Sequence, residues 1–116
     1  MELTIDQALQ QGVTAHKDGN LQEAERLYRA VLQSQPAHPD ANNNLGMLMV
    51  KYHQSHIALP FLMTALEGNS NEEQYWVNYI NALINLDKLD SAKKFIKKAN
   101  KAGFFGEKFH TISARL

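Results

Sequence analysis

Residues 43–65 read NNLGMLMVKYHQSHIALPFLMTA, and the parsing of this stretch decides the fold. Two helical patterns meet there at a short polar break. Leu45, Leu48 and Met49 mark the apolar stripe of the first, and Ile57, Leu59, Leu62 and Leu66 that of the second. Gly46 on the first, and Ala58 and Ala65 on the second, are small where the two helices would touch. One such pair leaves an apolar face uncovered, so it needs neighbours of the same kind.

The rest of the chain supplies them. Shifted against itself by 34 residues, the sequence aligns as three ungapped segments, 5–38, 39–72 and 73–106. Ala24, Ala58 and Ala92 coincide, as do Gly12, Gly46 and Ile80, Tyr28, Leu62 and Ile96, and Val31, Ala65 and Ala99. A period of this size marks stacked helix-turn-helix units. Asn20 with Glu23, and Ser70 with Glu73, have capping-box spacing. Gly19 marks a turn, Pro36 stops one helix, and Pro39 suits the first turn of the next. These signals predict helices at 4–18, 21–34, 40–53, 56–68, 73–86 and 89–101, with Pro60 bending the fourth. Phe105, Phe109, Ile112 and Leu116 then form one apolar stripe, which predicts a capping helix over about 106–116.

The pattern resembles the tetratricopeptide repeat, a helix pair of 34 residues. Gly12 and Gly46 match its small residue within the first helix; Ala24, Ala58 and Ala92 match the one that begins the second. Pro36 alone matches the closing proline, and Trp76 alone the early aromatic, where Ala8 and Asn42 stand in the other copies. Gln11 replaces a leucine, Ile80 the small residue, and Ser70 and Phe104 the proline. The resemblance implies an all-α solenoid of right-handed superhelical twist, with three pairs and a C-terminal capping helix forming one domain over 1–116. The tandem units are also similar to the N-terminal repeats of bacterial multidomain proteins, in which a glycosyl-, sulfo- or methyltransferase often follows. The chain is therefore read as a non-catalytic protein-interaction module. The alternatives are a docking or regulatory arm of such a transferase, or a self-association module.

Composition narrows the function classes. Apolar content of 44% with 21% charged residues describes a folded chain with a modest core. Zero cysteines remove disulfides, thiolate metal sites and cysteine nucleophiles, which fits a reducing, cytoplasmic setting. No apolar run approaches a membrane span, so a membrane partner is not expected. Net charge is zero but unevenly placed: residues from Leu86 onward carry +5 and residues 1–85 carry −5. Lys93, Lys94, Lys97, Lys98 and Lys101 read as the solvated face of a helix. With zero net charge, nucleic-acid binding is not expected either.

No residue constellation suggests catalysis, a cofactor or a metal. His53 and His56 have a spacing that helical metal sites use, but they straddle a predicted turn with no nearby carboxylate. The six glycines form no phosphate-binding loop. What remains is the inner surface of the curved array, lined by first helices. Asp6, Leu9, Val13, His16 and Lys17 are expected there from the first copy. Asp40, Asn43, Asn44, Met47, Val50 and Lys51 follow from the second, and Gln74, Val77, Asn78, Asn81, Ile84 and Asn85 from the third. The amides suit an extended peptide backbone or the polar edge of a helix. Repeats of this family that grip chaperone C-terminal carboxylates use a lysine–asparagine–arginine clamp. The matching positions here are Leu9, Val13, Asn44, Gln74 and Asn78, of which only Asn44 survives, implying a more apolar ligand.

Overall fold

Helices begin where a side chain accepts a hydrogen bond from the otherwise unpaired first N–H groups. The Thr4 hydroxyl accepts from the Gln7 N–H at 3.1 Å while the Gln7 side chain accepts from the Thr4 N–H at 3.0 Å, a reciprocal capping box. Asn20 accepts from the Glu23 N–H, and His38 Nδ1 from the Ala41 N–H at 3.2 Å, with Pro39 in the first helical turn. The expected cap at Ser70 is not used. Glu72, whose backbone is extended, caps that helix by accepting from Gln74, and the Ser70 carbonyl instead accepts the Trp76 indole N–H at 2.8 Å.

The computed structural model describes residues 3–116 as an elongated body of 47 × 26 × 21 Å. Its helices are α1 (Ile5–Lys17), α2 (Leu21–Ser34), α3 (Pro39–Lys51), α4 (Ser55–Gly68), α5 (Glu73–Asn85), α6 (Leu89–Lys101) and α7 (Glu107–Ala114). The odd-numbered helices begin at residues 5, 39, 73 and 107, so α7 continues the step of 34 and occupies the place of a fourth first helix. It packs on both α5 and α6 through Phe109 and Ile112, which are buried. Phe105, expected on the same stripe, is 66% exposed, because the helix starts two residues after it. Phe104 takes its place and stacks on Phe109.

The turn inside each pair needs one left-handed residue. Gly19 fills it in the first pair (φ 81°), where a side chain would be strained. The same position holds His53 (φ 60°) and Asp87 (φ 59°) in the next two, each with that strain. Pro60 lies inside α4, which runs unbroken through it.

Close approach within the pairs follows from their small residues. A Cβ added at Gly46 would lie 2.6 Å from Leu62 Cδ2, and one at Gly12 would lie 2.7 Å from the Tyr28 ring. Ala24, Ala58 and Ala92 on the second helices are fully buried. In the third pair Ile80 replaces the glycine, and α5 and α6 stand further apart than α3 and α4. Ile57, expected on the stripe of α4, is 39% exposed, because the buried face of α4 runs through Ala58, Leu62 and Ala65 instead. Successive first helices α3, α5 and α7 touch, whereas successive second helices stand apart, so the array curves with first helices on the inner side.

Two substitutions test this packing. Ala58→Leu forces four-carbon bulk into a fully buried contact and should cost about 1–3 kcal/mol; an unchanged melting temperature would refute the register. His53→Gly relieves the left-handed strain and should stabilise by up to ~1 kcal/mol, read as a higher denaturation midpoint.

Candidate functional site

The step of 34 arranges the first helices in rows across the concave surface. Leu9, Asn43 and Val77 form one row, Val13, Met47 and Asn81 a second, and His16, Val50 and Ile84 a third. Asp6, Asp40 and Gln74 edge one rim; Lys17, Lys51 and Asn85 edge the other, and all six are exposed. Leu9, Val13, Met47, Val50 and Ile84 are half-buried, each packed on the core with one edge left to solvent. Val77 and Asn78 are buried, so their contribution to the surface is small.

The amides expected to be free are partly engaged with one another. Lys108 Nζ donates to Gln74 Oε1 at 3.0 Å, Gln74 Nε2 to Asn78 Oδ1 at 2.8 Å, and Asn78 Nδ2 to Asn43 Oδ1 at 2.9 Å. Asn43 in turn donates to Asn44 at 3.4 Å. This chain crosses from α7 through α5 to α3. The Tyr75 hydroxyl donates to Asp40 and ties the same helices at the rim. A primary amide has two N–H donors. Gln74, Asn78 and Asn43 therefore each keep one, and Asn44 and Asn81 keep both.

Electrostatics follow from burial. His16 Nδ1 and the Tyr28 hydroxyl share a 3.2 Å hydrogen bond that turns His16 back onto α2. Desolvation, with a lesser push from Lys51, holds the His16 pKa below its ordinary value. Burial pushes the Tyr28 phenol up to about 12. Tyr75 is also raised, by burial first and then by its bond to Asp40. Among the described residues no cluster of three or more metal-ligating side chains occurs, and no helix is long and apolar enough to cross a membrane. His53 occupies the strained turn, and a cavity of about 360 Å³ between it, His56 and Asn85 opens at the basic rim.

One part of the surface was not anticipated from sequence. Lys108, Thr111 and Ile112 of α7, with Arg115 at its C-terminal cap, add a fourth strip, bounding a cavity of about 450 Å³ with Gln74, Val77 and Asn81 of α5. Arg115 donates to Asn81 Oδ1 at 2.9 Å, and Lys108 lies 3.6 Å from the Glu73 carboxylate. The signal was available: each of these residues lies 34 beyond an expected groove residue, Gln74, Val77, Asn78 or Asn81.

This architecture is the tetratricopeptide-repeat solenoid. In structure the chain is similar to a MamA D159K mutant, with TM-score 0.80 and 24% identity over 95% of this chain and 64% of that one. It is similar to a MamA AMB-1 structure as well, with TM-score 0.75 and 26% identity over 84% of this chain and 53% of that one. The chain thus spans between about half and two thirds of these MamA chains. The first TPR of Spaghetti (RPAP3), solved bound to the HSP90 peptide SRMEEVD, matches with TM-score 0.80 and 19% identity over 93% of this chain and 89% of that one. The Sgt2 TPR domain from Aspergillus fumigatus matches with TM-score 0.81 and 20% identity over 96% of this chain and 78% of that one. No protein-family model and no curated protein matches the sequence.

The lowered His16 pKa sets a sign for pH dependence. Below the unfolded value of 6.5 the unfolded chain takes up a proton that the folded chain resists, so this residue's contribution is lost as pH falls from there toward the folded pKa. A histidine NMR titration should place His16 below 6.5, and His16→Gln should reduce the acid sensitivity of the melting temperature. Titration of His16 at or above 6.5 would contradict its packing on Tyr28.

Proposed function

We propose that this chain is a non-catalytic protein-interaction module whose concave surface binds an extended peptide or a helix of a partner. The observation that carries the reading is the set of half-buried apolar side chains spread over three rows, Leu9, Val13, Met47, Val50 and Ile84, edged by amides with unused N–H donors. A folded chain gains nothing by leaving such edges in water, whereas a ligand can bury them and take the amide donors for its backbone carbonyls. The shared fold supports this reading, since a structural neighbour is described as bound to an HSP90 peptide.

The ligand differs in chemistry from an acidic C-terminal tail. Leu9 and Val13 stand at two of the clamp positions and Asn78 at a third is buried and already bonded. Apolar anchors flanked by backbone hydrogen bonds suit a ligand of low charge. End-to-end stacking of copies is the weaker reading. On α1 the positions equivalent to Ala41 and Leu48 are Gln7 and Thr14, exposed and polar, so the leading face of α1 gains little by burial. The docking-arm reading assigns the same surface to the substrate of an enzyme joined to this chain.

Val50→Glu and Ile84→Glu place a charge at half-exposed positions of the surface. Each should leave helicity intact and lower the melting temperature by only a few degrees. Each should also weaken capture of a photo-crosslinked peptide ligand by at least ~10-fold. Cross-links that map to the second helices would refute the assignment.

A further inference from the structure

A second surface lies at the C-terminal end, on the opposite flank of α7 from the groove. Lys93, Ile96 and Lys97 of α6 and Ser113 and Leu116 line an open, mostly apolar slot of about 470 Å³. Its counterpart one step earlier consists of Leu59, Leu62, Met63, Tyr79 and Ala82. There the slot is occupied: α6 lies over it, with the Phe95 ring set edge-on to Tyr79 at 4.8 Å. One step earlier again the equivalent residues are Glu25 and Arg29, which neutralise each other at 2.9 Å. The equivalent positions on the second helices thus hold a self-neutralised pair in the first copy, leucine and methionine in the second, and two lysines in the third.

Those lysines have no counter-charge. Lys93, Lys94, Lys97, Lys98 and Lys101 are all exposed, and none forms an ion pair among the described residues. Lys93 with Lys97, and Lys97 with Lys101, are like charges one turn apart, an arrangement that destabilises the free helix. A helix seated in the slot with carboxylates toward α6 would remove that repulsion while its aliphatic side chains covered Ile96 and Leu116. Among the described residues no helix offers such a face: the two glutamates of α2 are bonded to Arg26 and Arg29, and α4 holds one acid, Glu67. We propose that the slot between α6 and α7 docks an acidic amphipathic helix from a partner protein, independently of the concave surface.

The probe is a synthetic amphipathic helix with one leucine face and glutamates beside it, labelled for fluorescence anisotropy, with a lysine-for-glutamate peptide as control. The acidic peptide should bind, and the control should not. Lys93→Glu/Lys97→Glu, both surface positions, should weaken binding at least ~10-fold, as should raised salt. Val50→Glu should leave it unchanged. Binding lost in Val50→Glu but kept in the lysine variant would overturn the proposal, as would no binding at a peptide concentration of about 1 mM. Three other outcomes also overturn it by naming a different occupant. The first is sedimentation showing a dimer that the lysine variant abolishes, which assigns a second copy. The second is binding to phosphatidylserine vesicles that the peptide does not displace, which assigns a lipid surface. The third is lysines already shielded from amine labelling in a longer natural form of the chain, which assigns a following segment.

Discussion

The distance between the two helices of a pair is the constraint from which the other features follow. Where Gly46 faces Leu62 there is no room for even one methyl group, so α3 and α4 lie in close contact along their length. Close pairing places Ala58 and Ala65 at zero exposure and lets one helix pair act as a rigid unit. The unit then repeats at a fixed step, and its curvature brings first helices into contact on the inner side. The third pair shows the converse. Ile80 stands in place of glycine, α5 and α6 lie further apart, and the Tyr79 and Phe95 rings meet edge-on between them.

A fixed step has a second consequence. Residues 34 or 35 apart become lateral neighbours, so one position in the repeat becomes a row across the surface. This is why Asn78 reaches Asn43, Lys108 reaches Gln74 and Arg115 reaches Asn81. It also makes the molecule electrically polar along its length, because the lysines accumulate in α6 rather than being spread among the copies. The inner and outer faces therefore differ in character: amides and aliphatic edges inside, unpaired cations around the terminal slot.

Much of this was legible in the linear sequence. The 34-residue self-match, the small residues at Gly46 and Ala58, and the caps at Asn20 and Pro39 act within one turn or one pair, and local rules describe them. Every helix of the structure coincides with a predicted one to within two residues. The cap at Ser70 failed because the helix starts at Glu73, so Glu72 rather than Ser70 stands at the capping position. Ile57 and Phe105 failed because periodicity proposes a stripe without fixing which edge of it is buried or where the helix begins: the buried face of α4 runs through Ala58, Leu62 and Ala65, and α7 starts at Glu107.

The sequence by itself determined the number and order of the helices, their pairing and the step between pairs, because propensity, capping and period are properties of a chain a few residues at a time. Only the tertiary structure decided that the capping helix α7 takes the place of a fourth first helix. It also decided that the surface amides bond one another and that His16 folds back onto Tyr28. These depend on which atoms meet across different helices. That is fixed by interhelix distance and curvature, quantities that packing sets for the whole array at once and that no single segment encodes.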